Sequence, residues 1–310
     1  MSLFESKFKT ALSSNVPLLD KIMYYIIKRK GKRMRPMFVF LAAKVFGKCD
    51  ENTFLSASMI ELLHTATLVH DDVIDDSNFR RGFFSINALW KNKVAVLVGD
   101  FLLSKGLLLA VKNKQYKLLE IVSKAVQDMS EGELLQIEKS RKLDITESVY
   151  LDIINQKTAS LIAACCASGA SSVTDNEKDI ENMKLFGTKA GIAFQIKDDL
   201  FDYLQVPLIG KPKGLDIREG KLTLPLIYSL SKADKKTKSY YIKILKNKIK
   251  SETEVSDIIN FVKSSGGVEY AQKKMKLFHD EACNILDNFK DCAAKKSLLM
   301  LLDYVINRKK

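Results

Sequence analysis

From Asn52 to Asp76 the chain meets no glycine or proline, and apolar side chains recur at every third or fourth position. Most of the sequence reads this way. The period is that of an α-helix with one buried face, and the alternation expected of strands is almost missing. Only 5 prolines and 14 glycines punctuate 310 residues, so helices can run long and turns are few. Hydrophobic residues make up 46%, enough for a sizeable core. No Pro/Gly/Ser-rich linker divides the chain. The reading is all-α, a single domain over residues 1–310.

Local signals give the element boundaries. Pro17 opens a helix that Gly31 stops, and Pro36 opens the next, closed by Gly47. Further helices are expected over residues 52–76, 85–112, 117–139, 146–169, 175–205, 222–231, 235–250, 254–264, 268–287 and 293–307. The stretch VPLIGKPKGLDIREGK, residues 206–221, is the one long irregular segment, and loops of that length are usually functional or disordered.

The net charge of +13 raises the question of a polyanionic partner. The lysines are dispersed, however, and the one dense run, DKKTKSYYIKILKNKIK from Asp234, reads as an amphipathic surface helix with a solvated lysine face. Without clustered base-stacking aromatics, nucleic acid is not expected as a partner. Basic charge also suits a diphosphate substrate or an anionic membrane surface. Cys49, Cys165, Cys166, Cys283 and Cys292 form no CxxC pair, and the adjacent Cys165 and Cys166 read as packing residues. The opening MSLFESKFKT lacks the apolar core of a signal peptide. The most apolar stretch, Val94–Val111, contains Asp100 and Lys105 and fits a buried helix better than a membrane span. A soluble, cytoplasmic protein is the expectation.

One helix ends in a way that folding alone does not explain. LVHDDVIDDSNFRRG places Asp71, Asp72, Asp75 and Asp76 at the end of an apolar run, where acids three and four apart repel by roughly 0.2–0.5 kcal/mol per pair. A second cluster, FQIKDDLFDYL, repeats the DDxxD spacing with Asp198, Asp199 and Asp202. Offsets of three and four put each set on one helical face. Two carboxylate sets on apolar helices suit Mg²⁺, which takes one or two carboxylates per ion and fills its octahedron with water and phosphate oxygens.

With these motifs the sequence resembles the trans-isoprenyl diphosphate synthases (polyprenyl synthetases), most nearly the bacterial octaprenyl and other long-chain members. GKRMRP, ELLHTATLVHDDVIDD, RRG, VGDFLL, GELLQ, KTASL, FQIKDDLFD and GKPKGLDIREGKLTLP occur in the family's order along nearly the whole chain. The resemblance implies an orthogonal helical bundle of the isoprenoid-synthase type around a central cavity, a homodimer, and elongation of an allylic diphosphate by isopentenyl diphosphate. It implies that Asp71, Asp72, Asp75, Asp198, Asp199 and Asp202 hold Mg²⁺, three ions per site with substrate bound. Arg80, Lys157, Thr158, Gln195, Lys211 and Lys221 would meet the allylic diphosphate, Lys157 and Lys211 sharing in catalysis. Gly31, Lys32, Arg35, His64 and Arg81 would bind isopentenyl diphosphate. His70 reads as structural. Transient membrane contact for product release is also implied.

Two stretches depart from the family pattern. Phe83, Phe84 and Ser85 stand where a pair ending in proline usually precedes threonine, and Leu215 replaces the usual Thr or Asp before Asp216. Shorter-chain farnesyl or geranylgeranyl synthases, a class I terpene cyclase and a non-catalytic synthase subunit are the alternatives. A cyclase needs no isopentenyl site, and a regulatory subunit would have lost aspartates. Small Ala66 and Thr67, one turn before Asp71, leave the product tunnel open, which favours a hexaprenyl to octaprenyl product. Leu134 and Leu135 lie on a helix that could supply a deeper floor.

Asp71→Ala and Asp198→Ala are each expected to leave folding intact or slightly improved, because a like-charge cost is removed, while turnover drops by several orders of magnitude. Wild-type turnover by either variant at saturating Mg²⁺ would contradict the metal-ligand reading.

Overall fold

The computed structural model describes residues 2–28, 33–80, 82–204, 214–247 and 249–307. They are helical almost throughout. The helices are α1 (Ser2–Ala11), α2 (Pro17–Lys28), α3 (Met34–Phe46), α4 (Glu51–Ile74), α5 (Ile86–Lys112), α6 (Tyr116–Lys142), α7 (Glu147–Ile154), α8 (Ser160–Ser171), α9 (Glu177–Phe201), α10 (Leu215–Arg218), α11 (Leu224–Lys232), α12 (Lys235–Lys246), α13 (Glu252–Ser264), α14 (Gly267–Asp287) and α15 (Ala293–Asn307). Between α4 and α5 lies a short antiparallel hairpin, β1 (Phe79–Arg80) and β2 (Phe83–Phe84). The all-α expectation is met, with boundaries close to those read from the sequence.

Local chemistry explains the ends. Asp50 caps α4 by accepting the Thr53 N–H, while the Thr53 hydroxyl accepts the Asp50 N–H in return. Ser251 and Glu254 make the same reciprocal box on α13. Ser85, Thr146 and Asp234 cap α5, α7 and α12.

Contacts divide the chain into two compact units. The first comprises Met1–Val126 and Ala164–Lys184. Its centre is α4, which packs on α5, α3 and α1 and buries Met59, Ile60, Leu62, Leu63 and Ala66. His70 fastens the end of α4 to α5, its Nε2–H donating to the Val96 carbonyl at 3.1 Å. Gly99 makes this approach feasible, since a Cβ there would lie 2.0 Å from the imidazole Nε2. The structural reading of His70 therefore has a stated partner.

The second unit comprises Gln127–Ala163 and Leu185–Lys310. Its core gathers Tyr150 and Ile154 of α7, Ile192 and Ile196 of α9, Leu224 and Leu226 of α11, and Ile258 and Val262 of α13. Helix α14 packs against α11 and α13.

Four features differ from the sequence reading. Residues 2–11 form α1, whose Phe4 and Phe8 are buried. Its apolar face has only these few anchors, too short a pattern to stand out. The β1–β2 hairpin is two residues per strand, below the length at which alternation can be read. The expected helix over 146–169 is interrupted by a π-helical turn, Asn155–Ala159. Finally, the stretch Val94–Val111 is buried on one side only. Within α5, Ala95, Val98 and Leu102 are buried, while Val96, Leu97, Leu107, Leu108 and Val111 are exposed. By length and composition α5 could cross a membrane, yet it is packed along α4.

Candidate active site

The second acidic cluster lies in the last turns of α9 in the second unit. Asp199 is buried, with its two oxygens held by two neutral donors. The Tyr150 hydroxyl donates to Oδ2 at 2.7 Å, and Gln195 Nε2 donates to Oδ1 at 2.8 Å. Gln195 is itself oriented by Thr158, whose hydroxyl donates to Oε1 at 2.8 Å. Gln195 and Asp199 are one helical turn apart, as the sequence spacing required. Asp202 Oδ2 accepts the backbone N–H of Asp216 at 2.6 Å, which ties α9 to the start of α10.

Lys157 and Thr158 sit on the π-turn, an irregularity that recurs at functional sites because it re-aims side chains within a helix. Lys157 Nζ pairs with Glu133 Oε2 at 2.5 Å and donates to Gln136 Oε1 at 2.7 Å. Glu133 and Gln136 belong to the GELLQ segment of α6, and sequence reasoning gave neither a role. Gly132 shows why that segment begins with glycine: a Cβ there would stand 2.8 Å from the backbone nitrogen of Lys157. Lys221 Nζ pairs with Glu219 at 2.6 Å.

These groups line one cavity of about 370 Å³ within this unit. Asp198, Asp199 and Asp202 form its acidic part, Lys157 and Lys221 its basic part, and Tyr150 joins them. Asp216 is also a lining residue, and sequence reasoning assigned it nothing. The signal was present in the GLDIREGK segment that follows the acidic cluster.

Burial dominates the electrostatics. It pushes the Asp199 carboxyl up to about 8, with the Asp216 charge adding to the effect and the two hydrogen bonds opposing it. Asp202 is pushed up to about 6, again by burial first and by Asp216 second. Buried carboxylates with neutral partners are short of positive charge. The donor set is all oxygen, which fits a hard cation such as Mg²⁺. Among the described residues no three carboxylate, imidazole or thiol side chains already enclose an ion site.

In the first unit, Asp71 and Asp72 lie in the last turn of α4, and Asp75 is its C-cap. Asp72 is buried and accepts from Arg80 Nε at 2.7 Å. Burial raises its pKa, and the Arg80 hydrogen bond and charge work against that rise. The hairpin that carries Arg80 is closed by Ser85, whose hydroxyl donates to the Ser77 carbonyl at 2.6 Å. Asn87 Nδ2 donates to the Asp72 carbonyl at 3.1 Å. Where proline is usual, Phe84 stacks on Phe79 with ring centroids 4.7 Å apart, and its carbonyl accepts from the Tyr25 hydroxyl.

His64 is buried in α4, and Arg33 pairs at 2.7 Å with Glu61, one turn before it. Arg35 lies in the first turn of α3, and its charge, with that of Glu61, acts on buried Cys165. Arg33 and Glu61 carried no role in the sequence reading. Ala66 is fully buried, and the Thr67 hydroxyl donates to the His64 carbonyl at 2.9 Å. Leu134 is 67% exposed, so it is no buried floor residue. Gly31, Lys32, Arg81 and Lys211 lie outside the described residues.

Comparison with known proteins decides the family. The polyprenyl synthetase family model matches residues 16–262. The chain belongs to the polyprenyl synthetase family. Octaprenyl diphosphate synthase of Escherichia coli is 33% identical over 96% of this chain and 92% of its own length. Geranylgeranyl diphosphate synthase of Sulfolobus acidocaldarius is 33% identical over 97% and 94%. The crystal structure of a polyprenyl synthase from Caulobacter crescentus, complexed with calcium and isoprenyl diphosphate, superposes with a TM-score of 0.91 at 31% identity, covering 100% of this chain and 95% of that one. This member of the polyprenyl synthetase family is a prenyltransferase of the all-α isoprenoid synthase fold, and its relatives are trans-prenyl diphosphate synthases.

The raised carboxyls predict how metal-free stability depends on pH. A carboxyl with a raised folded pKa holds its proton in the native state while the unfolded chain has already lost it, so stability falls as pH rises between the two values. For Asp199 that window opens near the unfolded value of about 4 and closes at about 8. The metal-free protein is expected to lose thermal stability steadily across it. Asp199→Asn is expected to flatten the slope. A melting temperature that does not fall across this window in the metal-free wild type would contradict the assignment.

Proposed function

We propose that this chain is a Mg²⁺-dependent trans-polyprenyl diphosphate synthase that condenses isopentenyl diphosphate head-to-tail onto an allylic diphosphate and releases a hexaprenyl to octaprenyl product. The observation that carries the proposal is the cavity of the second unit. There, a buried carboxylate held by Tyr150 and Gln195 shares one wall with Asp198 and Asp202, and Lys157 and Lys221 face the same space.

The chemistry asks little of the protein as nucleophile and much of it as a frame for charge. The allylic C–O bond ionises, the isopentenyl double bond attacks the resulting cation, and a proton is lost. Asp71, Asp72 and Asp75, together with Asp198, Asp199 and Asp202, would hold Mg²⁺, three ions with substrate bound. When present, the metal supplies positive charge opposite the leaving diphosphate.

The chain's own residues do the rest. Lys157, Lys211, Lys221 and Arg80 hold the allylic diphosphate by charge-assisted hydrogen bonds, worth roughly 1.5–3 kcal/mol each. Lys157 starts out paired with Glu133, so on binding it exchanges one anion for another. Thr158 and Gln195 keep the Asp199 carboxylate facing the cavity. Gly31, Lys32, Arg35, His64 and Arg81 bind isopentenyl diphosphate. Ala66 and Thr67 border the growing tail.

Support for a long product comes from the small side chain of Ala66, about one turn before Asp71 in the sequence. The heptaprenyl and octaprenyl synthases among the relatives point the same way. A geranylgeranyl product is the alternative, favoured by the Sulfolobus relative. The protein acts in the cytoplasm as one catalytic domain over residues 1–310. It pairs as a homodimer, for which the exposed apolar side of α5, with Val96, Leu97, Leu107, Leu108 and Val111, offers an apolar surface. Transient contact with a membrane lets the water-insoluble product leave.

Purified protein given labelled isopentenyl diphosphate, an allylic primer and Mg²⁺ is expected to form hexaprenyl to octaprenyl diphosphate, resolved by chromatography. Ala66→Phe or Ala66→Tyr is expected to shorten the product sharply. No incorporation would overturn the synthase reading, and a wild-type product that stops at farnesyl or geranylgeranyl diphosphate would overturn the open-tunnel reading.

A further inference from the structure

Helix α12 is the basic segment that the active site leaves unused. At about 100° per residue, Lys235, Lys236, Lys243 and Lys246 fall within one arc, with Tyr240 at its edge. Tyr241, Ile244 and Leu245 occupy the opposite arc and are buried, while the four lysines and Tyr240 are exposed. None of the four makes an ion pair among the described residues. The acids close by are already engaged: Asp234 accepts the N–H groups of Lys236 and Thr237, Asp257 accepts the Tyr240 hydroxyl, and Glu254 caps Ser251. These three carboxylates are thus held by neutral donors, and none of them pairs with the four lysines.

Just past the helix, Ile249 is 90% exposed. Its neighbour Lys250 is buried, and Lys250 Nζ donates to the carbonyls of Asn247 at 2.7 Å and Arg218 at 3.1 Å. That anchor pins the turn, so an apolar side chain is held out in solvent just past the end of the helix. A basic helix face with a tyrosine at its edge and a projecting aliphatic residue matches a lipid headgroup region, where charge attracts and apolar groups insert. Nucleic acid would instead call for stacking aromatics and arginine forks, and this face offers one tyrosine and no arginine.

We propose that the α12 face, Lys235, Lys236, Lys243 and Lys246 with Tyr240 and Ile249, docks the enzyme on an anionic lipid bilayer. The proposal rests on the reading above in one respect: a lipid product gives the surface its use. Docking itself depends on charge and is measured without substrates.

The full-length protein is mixed with unilamellar vesicles of phosphatidylcholine, with and without about a third phosphatidylglycerol, and bound protein is separated by flotation. Binding is expected only to the anionic vesicles at about 0.1 M salt, and it should be lost when raised salt shortens the screening length. Each lysine near such a surface contributes roughly a five-fold factor. The quadruple Lys→Gln variant at 235, 236, 243 and 246 is thus expected to bind at least about a hundred-fold more weakly. The matching Lys→Arg variant should bind like wild type, and Ile249→Ser should weaken binding several-fold. Far-UV circular dichroism and prenyl transfer in detergent should be unchanged in the Lys→Gln variant. Wild type that ignores anionic vesicles, a Lys→Gln variant that binds as wild type does, or duplex DNA held as tightly as the vesicles would each overturn the proposal. Docking without prenyl transfer would sink the synthase reading alone, and transfer without docking would sink this one alone.

Discussion

Burying Asp199 beside Asp202 and Asp216 is a cost that the rest of the second unit is arranged to bear. A carboxylate in such a place loses its hydration, and two neutral hydrogen bonds from Tyr150 and Gln195 return only part of it. The folded protein responds by holding a proton on Asp199 well above the ordinary carboxylate range. Neutralisation by a divalent ion and its diphosphate is the other solution, and it is the one that the proposed function calls for. The instability of the free site and its affinity for a charged ligand thus have one physical origin.

Close helix packing makes the arrangement possible. The π-turn at Asn155–Ala159 swings Lys157 and Thr158 out of plain helical register, and Gly132 lets α6 come against it. Glu133 and Gln136 then hold Lys157 in place. In the first unit, the same device at Gly99 lets His70 reach across to α5 and fix the end of α4, where Asp71, Asp72 and Asp75 are displayed. Where the family pattern has a proline, an aromatic stack and the Tyr25 hydroxyl bond hold the hairpin that presents Arg80.

Much of this was legible in the sequence for reasons that can be named. Helical period and the proline and glycine breakers placed most helices, because each depends on residues within one or two turns. The DDxxD repeats and the Gln195–Asp199 spacing showed which acids share a face. What escaped was set by distant partners. Nothing near Glu133 or Gln136 says that Lys157 will meet them, and nothing near Asp216 says that its N–H will bind Asp202. The π-turn has no composition of its own, and the β1–β2 hairpin is too short for a period. Exposure along one side of α5 was missed because an apolar stretch reads the same whether its second face meets core or solvent.

The central claim is that Asp199 carries a proton near neutrality which metal and diphosphate must displace. Isothermal titration calorimetry of Mg²⁺ with inorganic diphosphate at about pH 7, repeated in buffers of different ionisation enthalpy, counts protons exchanged on binding. The account predicts that wild type releases about one proton more than Asp199→Asn. Equal proton release by the two proteins, with the ligand bound in both, would contradict it.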